Sequence, residues 1–401
     1  MNNTTFDFDK IISRHGTGSV KWDARGAIFG SEEVLPLWVA DMDFSAPEAV
    51  IRKMTERAHH PIYAYNTQEL SLYHSIIDWV KKRHGWEIEK DWILLSPGVV
   101  PSIVLSILAL SKPGDGIVIQ PPVYPPFFAS IQDNDREIVE NPLIFKNGRY
   151  EIDFEDLEQK LANPSNKLLL LCSPHNPVGR VWSREELIKI YELCQKYEID
   201  VLSDEIHNDL VYGSHKHTVF AALGTPVCEQ SVTFMAASKT FNIAGLNFSY
   251  IIVPCQRRRK LIDAWLTKLH INRNNLFGGL ATEVAYREGE AWLTALLIYL
   301  ERNADTLVEF VEKRLPNVKI VKPEGTYLGW LDFRAYFTDG KQLEKFLVHT
   351  AKVGLNYGRN FGSQGAGFAR INFATQRSVL LEGLTRIEKA LQSVKPFAKA
   401  E

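Results

Sequence analysis

Six short runs, apolar almost without interruption, constrain this chain more than any other feature. They are "WILLS" (92–96), "GIVIQ" (116–120), "KLLLLCS" (167–173), "IDVLSD" (199–204), "VTFMA" (232–236) and "SYIIV" (249–253). A strand with one wet face alternates apolar and polar residues. These do not, so both of their faces must be covered. Between two of them lies a helical pattern with clear punctuation. Ser183 and Glu186 form a capping box, and Leu187, Ile190, Tyr191 and Cys194 share one face. Strand, helix, strand argues for parallel βαβ units. The expected fold is α/β: a large domain over residues 47–289 with a mostly parallel sheet. A helical pattern follows from Glu290 to Leu315, then the strand-like "KIVKPEGTYLGWLDF" and "FARINFA". These give a smaller C-terminal α+β domain over 290–401. Residues 1–46 have weak periodicity and are expected as an N-terminal arm that is part of the small domain.

Composition narrows the function classes. At 401 residues and 45% hydrophobic, the chain can bury a substantial core. Lys+Arg is 46 against Asp+Glu 48, a net charge of -2, which gives no footprint for nucleic acid. The one basic run, "QRRRK" (256–260), is expected to open a solvated helix. Cys172, Cys194, Cys228 and Cys255 make no C-x-x-C pair, so free thiols in a reducing compartment are expected. The start "MNNTTFDFDK" has no secretory apolar region, and stretches such as "SIVLSILAL" are too short to span a bilayer. A cytoplasmic protein with no membrane partner is the expectation. His59, His60, His215 and His217 have near-ligand spacing but no third ligand, so they are read as solvated loop residues and no metal is expected. The nine tryptophans are expected in the core and at an interface.

Three polar signals stand at the ends of apolar runs: "CSPHNPVG" (172–179), "SDEIH" (203–207) and "ASKTF" (237–241). Open α/β sheets bind ligands beyond the carboxyl ends of their strands, so Asn176, Asp204 and Lys239 should converge. A desolvated lysine amine forms a Schiff base with an aldehyde. A carboxylate can hold a ring nitrogen protonated, and an asparagine can donate to a phenolate oxygen. Together these meet the needs of pyridoxal 5'-phosphate. "SPGVVPSIVLSILAL" (96–110) supplies a helix start whose Val99 and Val100 N–H groups suit a phosphate, with Ser238, beside the lysine, as a hydroxyl donor. Tyr124 in "PPVYPPFF" is placed to stack on the ring. Taken singly, each signal is as well explained by an ordinary turn, cap or packed aromatic.

The stretches "LPLWVADMDF", "SPGVVPSI", "CSPHNPVGRVW", "SDEIHNDL", "ASKTFNIAGL", "EGTYLGWLDF" and "GFARINFA" resemble the fold-type-I pyridoxal-phosphate enzymes over nearly the whole chain. Within them the chain is most similar to the cystathionine β-lyase (C–S lyase, cystalysin-like) branch. The resemblance implies roles position by position. Lys239 is the Schiff-base lysine, Asp204 the partner of the ring nitrogen, Asn176 that of the 3-oxygen, and Tyr124 the stacking ring. Arg370 takes the substrate α-carboxylate, while Trp38, Val39 and Ala40 line the amino-acid pocket. Tyr65 reaches a neighbouring subunit's phosphate, which implies a homodimer with shared active sites. His207 stands where aspartate-aminotransferase-like relatives have a tyrosine, and Asn247 where they have an arginine; both fit the lyase branch. Pro125 and Ala64 depart from some desulfhydrases. The implied reaction is α,β-elimination from cystathionine or related cysteine S-conjugates, with Lys239 as base and Tyr124, Tyr65 or Lys239 as the acid. Aminotransfer between an amino acid and a 2-oxo acid, and a cofactor-binding regulator with weak catalysis, are the alternatives.

Overall fold

The computed structural model describes residues 6–67, 69–146, 148–272 and 275–397. The six apolar runs all form strands, and with Glu137–Glu140 they make one seven-stranded sheet. In chain order its strands are β1 (Ile93–Ser96), β2 (Gly116–Ile119), β3 (Glu137–Glu140), β4 (Asn166–Cys172), β5 (Asp200–Asp204), β6 (Ser231–Met235) and β7 (Ser249–Ile252). Their spatial order is β1-β7-β6-β5-β4-β2-β3. Every neighbouring pair is parallel except those of β7, which runs antiparallel to both β1 and β6. The sheet is thus mostly parallel, as expected. The antiparallel strand follows β6 through a short connection carrying Lys239, with no crossover helix long enough to reverse the chain. β3 was not among the expected strands: "EIVE" lies at the sheet edge and carries charge at both ends.

Helices cover both faces, which is why the strands are continuously apolar. On one side α1 (Val99–Leu110) and α4 (Gln256–Lys268) bury Ile103, Ile107, Ile262 and Leu266 against Ile119, Leu202 and Phe234. On the other, α2 (Arg184–Lys196) buries Leu187, Ile190 and Cys194 against Leu169 and Val201. The expected capping box of α2 is present: Glu186 N donates to Ser183 Oγ at 3.2 Å, and Ser183 N donates to Glu186 Oε2 at 2.7 Å. "QRRRK" opens α4, as its charge suggested. The one-turn helix α3 (Ala237–Thr240) lies between β6 and β7.

The long helix α5 (Glu290–Arg314) leads to a second sheet. Its strands β8 (Lys319–Ile320), β9 (Leu328–Asp332), β10 (Asn356–Tyr357) and β11 (Phe368–Asn372) lie in the order β8-β9-β11-β10, all antiparallel. Leu35–Pro36 of the arm pairs in parallel with Val353–Gly354, tying the two ends of the chain together. The turn after β4 is pinned against the segment before β9. Gly179 there has φ +72°, and a Cβ on it would meet Pro323 Cβ at 2.6 Å. Only glycine combines that backbone with that approach. Among the described residues no helix is long and apolar enough to cross a membrane. All four cysteines are buried and free.

Candidate active site

At the carboxyl ends of β4, β5 and β6 the sheet opens into a cavity of about 300 Å³. Asn176, Asp204 and Lys239 all line it, with Val99, Val100, Tyr124, His207, Ser238 and Ala40. The sheet register brings them together. Asp204 ends β5, opposite Cys172 on β4 and Phe234 on β6, and its carbonyl accepts from Ser173 N at 2.9 Å. Lys239 follows two residues after the helix α3 begins. The N–H groups of Val99 and Val100 precede the first bond of α1, which Ser102 N makes to Gly98 O at 3.1 Å. Both residues line the cavity, and as the first residues of α1 their N–H groups have no acceptor within the helix.

The charges are those of a dry pocket. Burial lowers the Lys239 amine to about 8; Asp41 and Asp204 favour its charge, and Arg370 opposes it. Burial raises Asp204 to about 7, against the pull of the Ile206 N–H and with a further push from Glu205. His207 is buried and held down to about 3 by desolvation, then by Lys239 and Arg370, so its ring is neutral at pH 7. Burial raises the Tyr124 hydroxyl as well. An amine and an acid, both moved toward neutrality in one cleft, mark a site built for proton transfer.

The mouth is formed by the arm and the second sheet. Lys239 Nζ donates to Ala40 O at 2.5 Å, and Tyr327 Oη donates to the same carbonyl at 2.9 Å. That loop is stapled from two sides. Asn242, with φ +56°, accepts from Met42 N at 3.0 Å and donates to Met42 O and Phe44 O at 3.0 and 2.8 Å. Asn372 donates to Val39 O and Asp41 O at 2.5 and 2.6 Å. Arg370, on β11, donates to Asn176 Oδ1 (3.0 Å), Trp38 O (3.1 Å) and Asn356 Oδ1 (2.6 Å). It is fully desolvated, which lowers it to about 10. Its Nε and the Nδ1 of His207 are buried without a hydrogen-bond partner among the described residues.

Four proposed site residues do not line this cavity: Arg370 and Trp38 connect to it through Asn176, Val39 lines a neighbouring cavity beside Lys239, and Tyr65 lies apart. Its ring is 95% exposed, at the rim of a separate cavity beside Asn275 and Phe248. His217 corrects the reading of the histidines. It is buried, with Nε2 2.8 Å from Glu205 Oε2, because its loop folds back under β5. His59, His60 and His215 are exposed. Tyr327, Asn356, Asn242 and Asn372 were not singled out from the sequence. Tyr327, Asn242 and Asn372 lie inside quoted motifs, but nothing marks a buried asparagine as a loop staple before the loop it holds is known.

Three comparisons place this geometry. The model of the family "Aminotransferase class I and II" matches residues 32–387. The chain is 46% identical over 385 residues to cystathionine beta-lyase PatB of Bacillus subtilis (strain 168), covering 96% of this chain and 100% of that one. Among solved structures, a PLP-bound putative aminotransferase from Clostridium difficile 630 superposes with TM-score 0.95 at 43% identity, over 96% of this chain and 100% of that one. Cystalysin from Treponema denticola, described as containing pyridoxal 5'-phosphate, gives 0.94 at 39%, over 97% and 99%. Family match, sequence identity and superposition agree: the chain belongs to the aminotransferase class I and II family and has the fold of type-I pyridoxal-phosphate enzymes.

Proposed function

We propose that the protein is a pyridoxal-phosphate-dependent carbon–sulfur lyase. It splits L-cystathionine or related cysteine S-conjugates into a thiol, pyruvate and ammonia, with one water consumed. The observation that carries this reading is the buried amine of Lys239 facing a cavity it shares with the buried acid of Asp204. The 46% identity to a protein named cystathionine beta-lyase favours elimination over amino transfer.

The residues present fit the cofactor. Asp204 is a buried acid with one backbone donor, Ile206 N, and a protonated ring nitrogen would hold it ionised. A helix start and the Ser238 hydroxyl suit a phosphate. Arg370 Nε and His207 Nδ1 are buried polar groups without a partner among the described residues, which suits a polar ligand. Bound there, the cofactor supplies an electron sink for charge released at the substrate Cα.

Within this reading each residue has a task. Lys239 would hold the cofactor, and its amine takes the substrate Cα proton; an amine near 8 suits that role at neutral pH. Ala40 O orients its Nζ. Asn176 is fixed by Arg370 for the ring's 3-oxygen, and Tyr124 covers the ring. Val99, Val100 and Ser238 hold the phosphate. Arg370 receives the α-carboxylate with a fork already aligned by Trp38 O and Asn356. Trp38, Val39 and Ala40 wall the substrate. Tyr124, Lys239 or a neighbour's Tyr65 returns the proton to sulfur. The same reading has the enzyme act as a cytoplasmic homodimer, supported by the exposed Tyr65 and the four free buried thiols. It also divides the chain into a large domain (47–289) and a small one (290–401 with the arm 1–46), which the pairing of Leu35–Pro36 with Val353–Gly354 supports.

The test is pyruvate formation from L-cystathionine by purified enzyme, with and without an added 2-oxo acid. Pyruvate without the 2-oxo acid is expected. Turnover that needs it supports the second reading, amino transfer, which the C. difficile structure's description favours. A yellow protein inert toward every β-substituted amino acid supports a regulator instead. Lys239→Ala should lower turnover by about 10²–10⁴-fold and lose the visible band of the lysine-bound cofactor.

A further inference from the structure

Lys239 lines two cavities. The second, of about 550 Å³, lies beyond Ala40 and is walled by the N-terminal arm. It shares Ala40, Ala244 and Lys239 with the first, so the two cavities adjoin at the lysine. Its apolar wall includes Ile12, Val20 and Met42, and its polar wall presents Arg14 and Asp41.

Behind that polar wall Asp43 is shared by two cations, for Arg14 Nη1 reaches back to its Oδ1 at 2.8 Å. Lys21 is fully buried and donates to Asp43 Oδ2 at 2.6 Å, and Trp22 Nε1 donates to Asp43 Oδ1 at 3.2 Å. In front, Arg14 and Asp41 keep side-chain exposures of 22% and 20%. The Arg14 fork meets the Asp41 carboxylate with both terminal nitrogens, at 2.9 and 2.6 Å. An ion pair on a cavity wall offers one cation and one anion side by side at fixed spacing. A ligand carrying an ammonium and a carboxylate on one carbon can straddle that pair with no change in net charge. A lone acid or a lone base would leave one charge uncompensated in a partly dry site.

We propose that Arg14 and Asp41 form a subsite for the α-amino-acid headgroup carried by the leaving thiol. This rests on the lyase reading and deepens it: the substrates are sulfur amino acids with a headgroup at both ends, such as cystathionine or cystine, rather than cysteine or S-alkylcysteines. The aliphatic stretch between the headgroups lies along Ile12 and Val20, and the arm thereby sets specificity.

The test compares L-cystathionine with S-propyl-L-cysteine, which keeps the reacting end and the carbon chain but lacks the distal headgroup. Wild type should favour cystathionine in kcat/KM by at least about tenfold. Arg14→Met should lower kcat/KM for cystathionine by about tenfold or more, mainly through KM, and leave S-propyl-L-cysteine within about twofold. Arg14→Lys keeps the charge without the fork, so it should lie between, and it serves if Arg14→Met does not fold. Equal losses on both substrates would mean that the pair only props the Ala40 loop, and would overturn the subsite while leaving the lyase reading intact. No loss on either substrate overturns it too. No pyruvate from either substrate with wild-type enzyme overturns the lyase reading and the subsite together.

Discussion

Asp204 combines deep burial with a single hydrogen-bond donor, and this has a measurable thermodynamic consequence. Its folded value of about 7 lies above the ordinary carboxyl value of 3.8, so across that window the folded chain holds a proton that the unfolded chain has lost. Stability from this group is present at low pH and declines as pH rises toward 7, by up to about 1.4 kcal/mol per pH unit. In cofactor-free protein, Asp204→Asn should therefore gain on wild type in melting temperature between pH 4 and pH 8. A difference independent of pH would show that the acid is not held neutral by burial. With pyridoxal 5'-phosphate added, wild type should recover the advantage at pH 8, because a cationic ring nitrogen stabilises the carboxylate the variant lacks. Lys239 shows the opposite trend. Its folded value of about 8 lies below 10.5, so its contribution to stability improves only as pH rises through that interval. The two groups were legible as site residues because lysine and aspartate at apolar strand ends are anomalous. Their shifted titration was not, since it depends on how completely the neighbours exclude water.

Two kinds of element position the site, and they differ in what removing one side chain should do. The α2 cap is local. Ser183→Ala should cost about 1 kcal/mol, seen as a lower urea midpoint at unchanged m-value, with turnover kept. The Asn242 staple is long-range, since it joins residues 42–44 to the turn after Lys239. Asn242→Ala strands Met42 N and two carbonyls in a half-buried place, and should cost about 2 kcal/mol. It should also lower turnover more than its stability loss explains, because Ala40 O loses its fixed place against Lys239. Equal turnover in wild type and Asn242→Ala would show that the loop holds its shape without the staple. The capping box could be read from four consecutive residues. The staple could not, because its partners lie about 200 positions away.

At the scale of the whole molecule, the exposed Tyr65 ring makes shared sites testable. Neither Lys239→Ala nor Tyr65→Ala should turn over alone at a useful rate. If sites are completed across a two-fold interface, mixing the two after unfolding and refolding together restores one intact site in each heterodimer, about a quarter of all sites. No recovery on mixing would confine each site to a single chain. The same scale explains β7 and β3. Continuous apolarity shows that a strand is covered on both faces but carries no sign for its direction, so the reversal of β7 was invisible. An edge strand needs less apolar cover, so "EIVE" carried too little signal.

The sequence by itself determined the layered α/β architecture, the strand ends at which polar groups collect, and Lys239, Asp204 and Asn176 as the polar residues expected to converge there. Those follow from local periodicity and from residue types that are costly to bury without a purpose, whereas Arg370 was marked only by the family resemblance. Only the tertiary structure decided that Ala40 O would meet the lysine amine, that His217 would be buried against Glu205 instead of solvated, and that Arg14 and Asp41 would face a second cavity. Each of these depends on contacts between distant segments, whose geometry is fixed by packing and leaves no periodic trace along the chain.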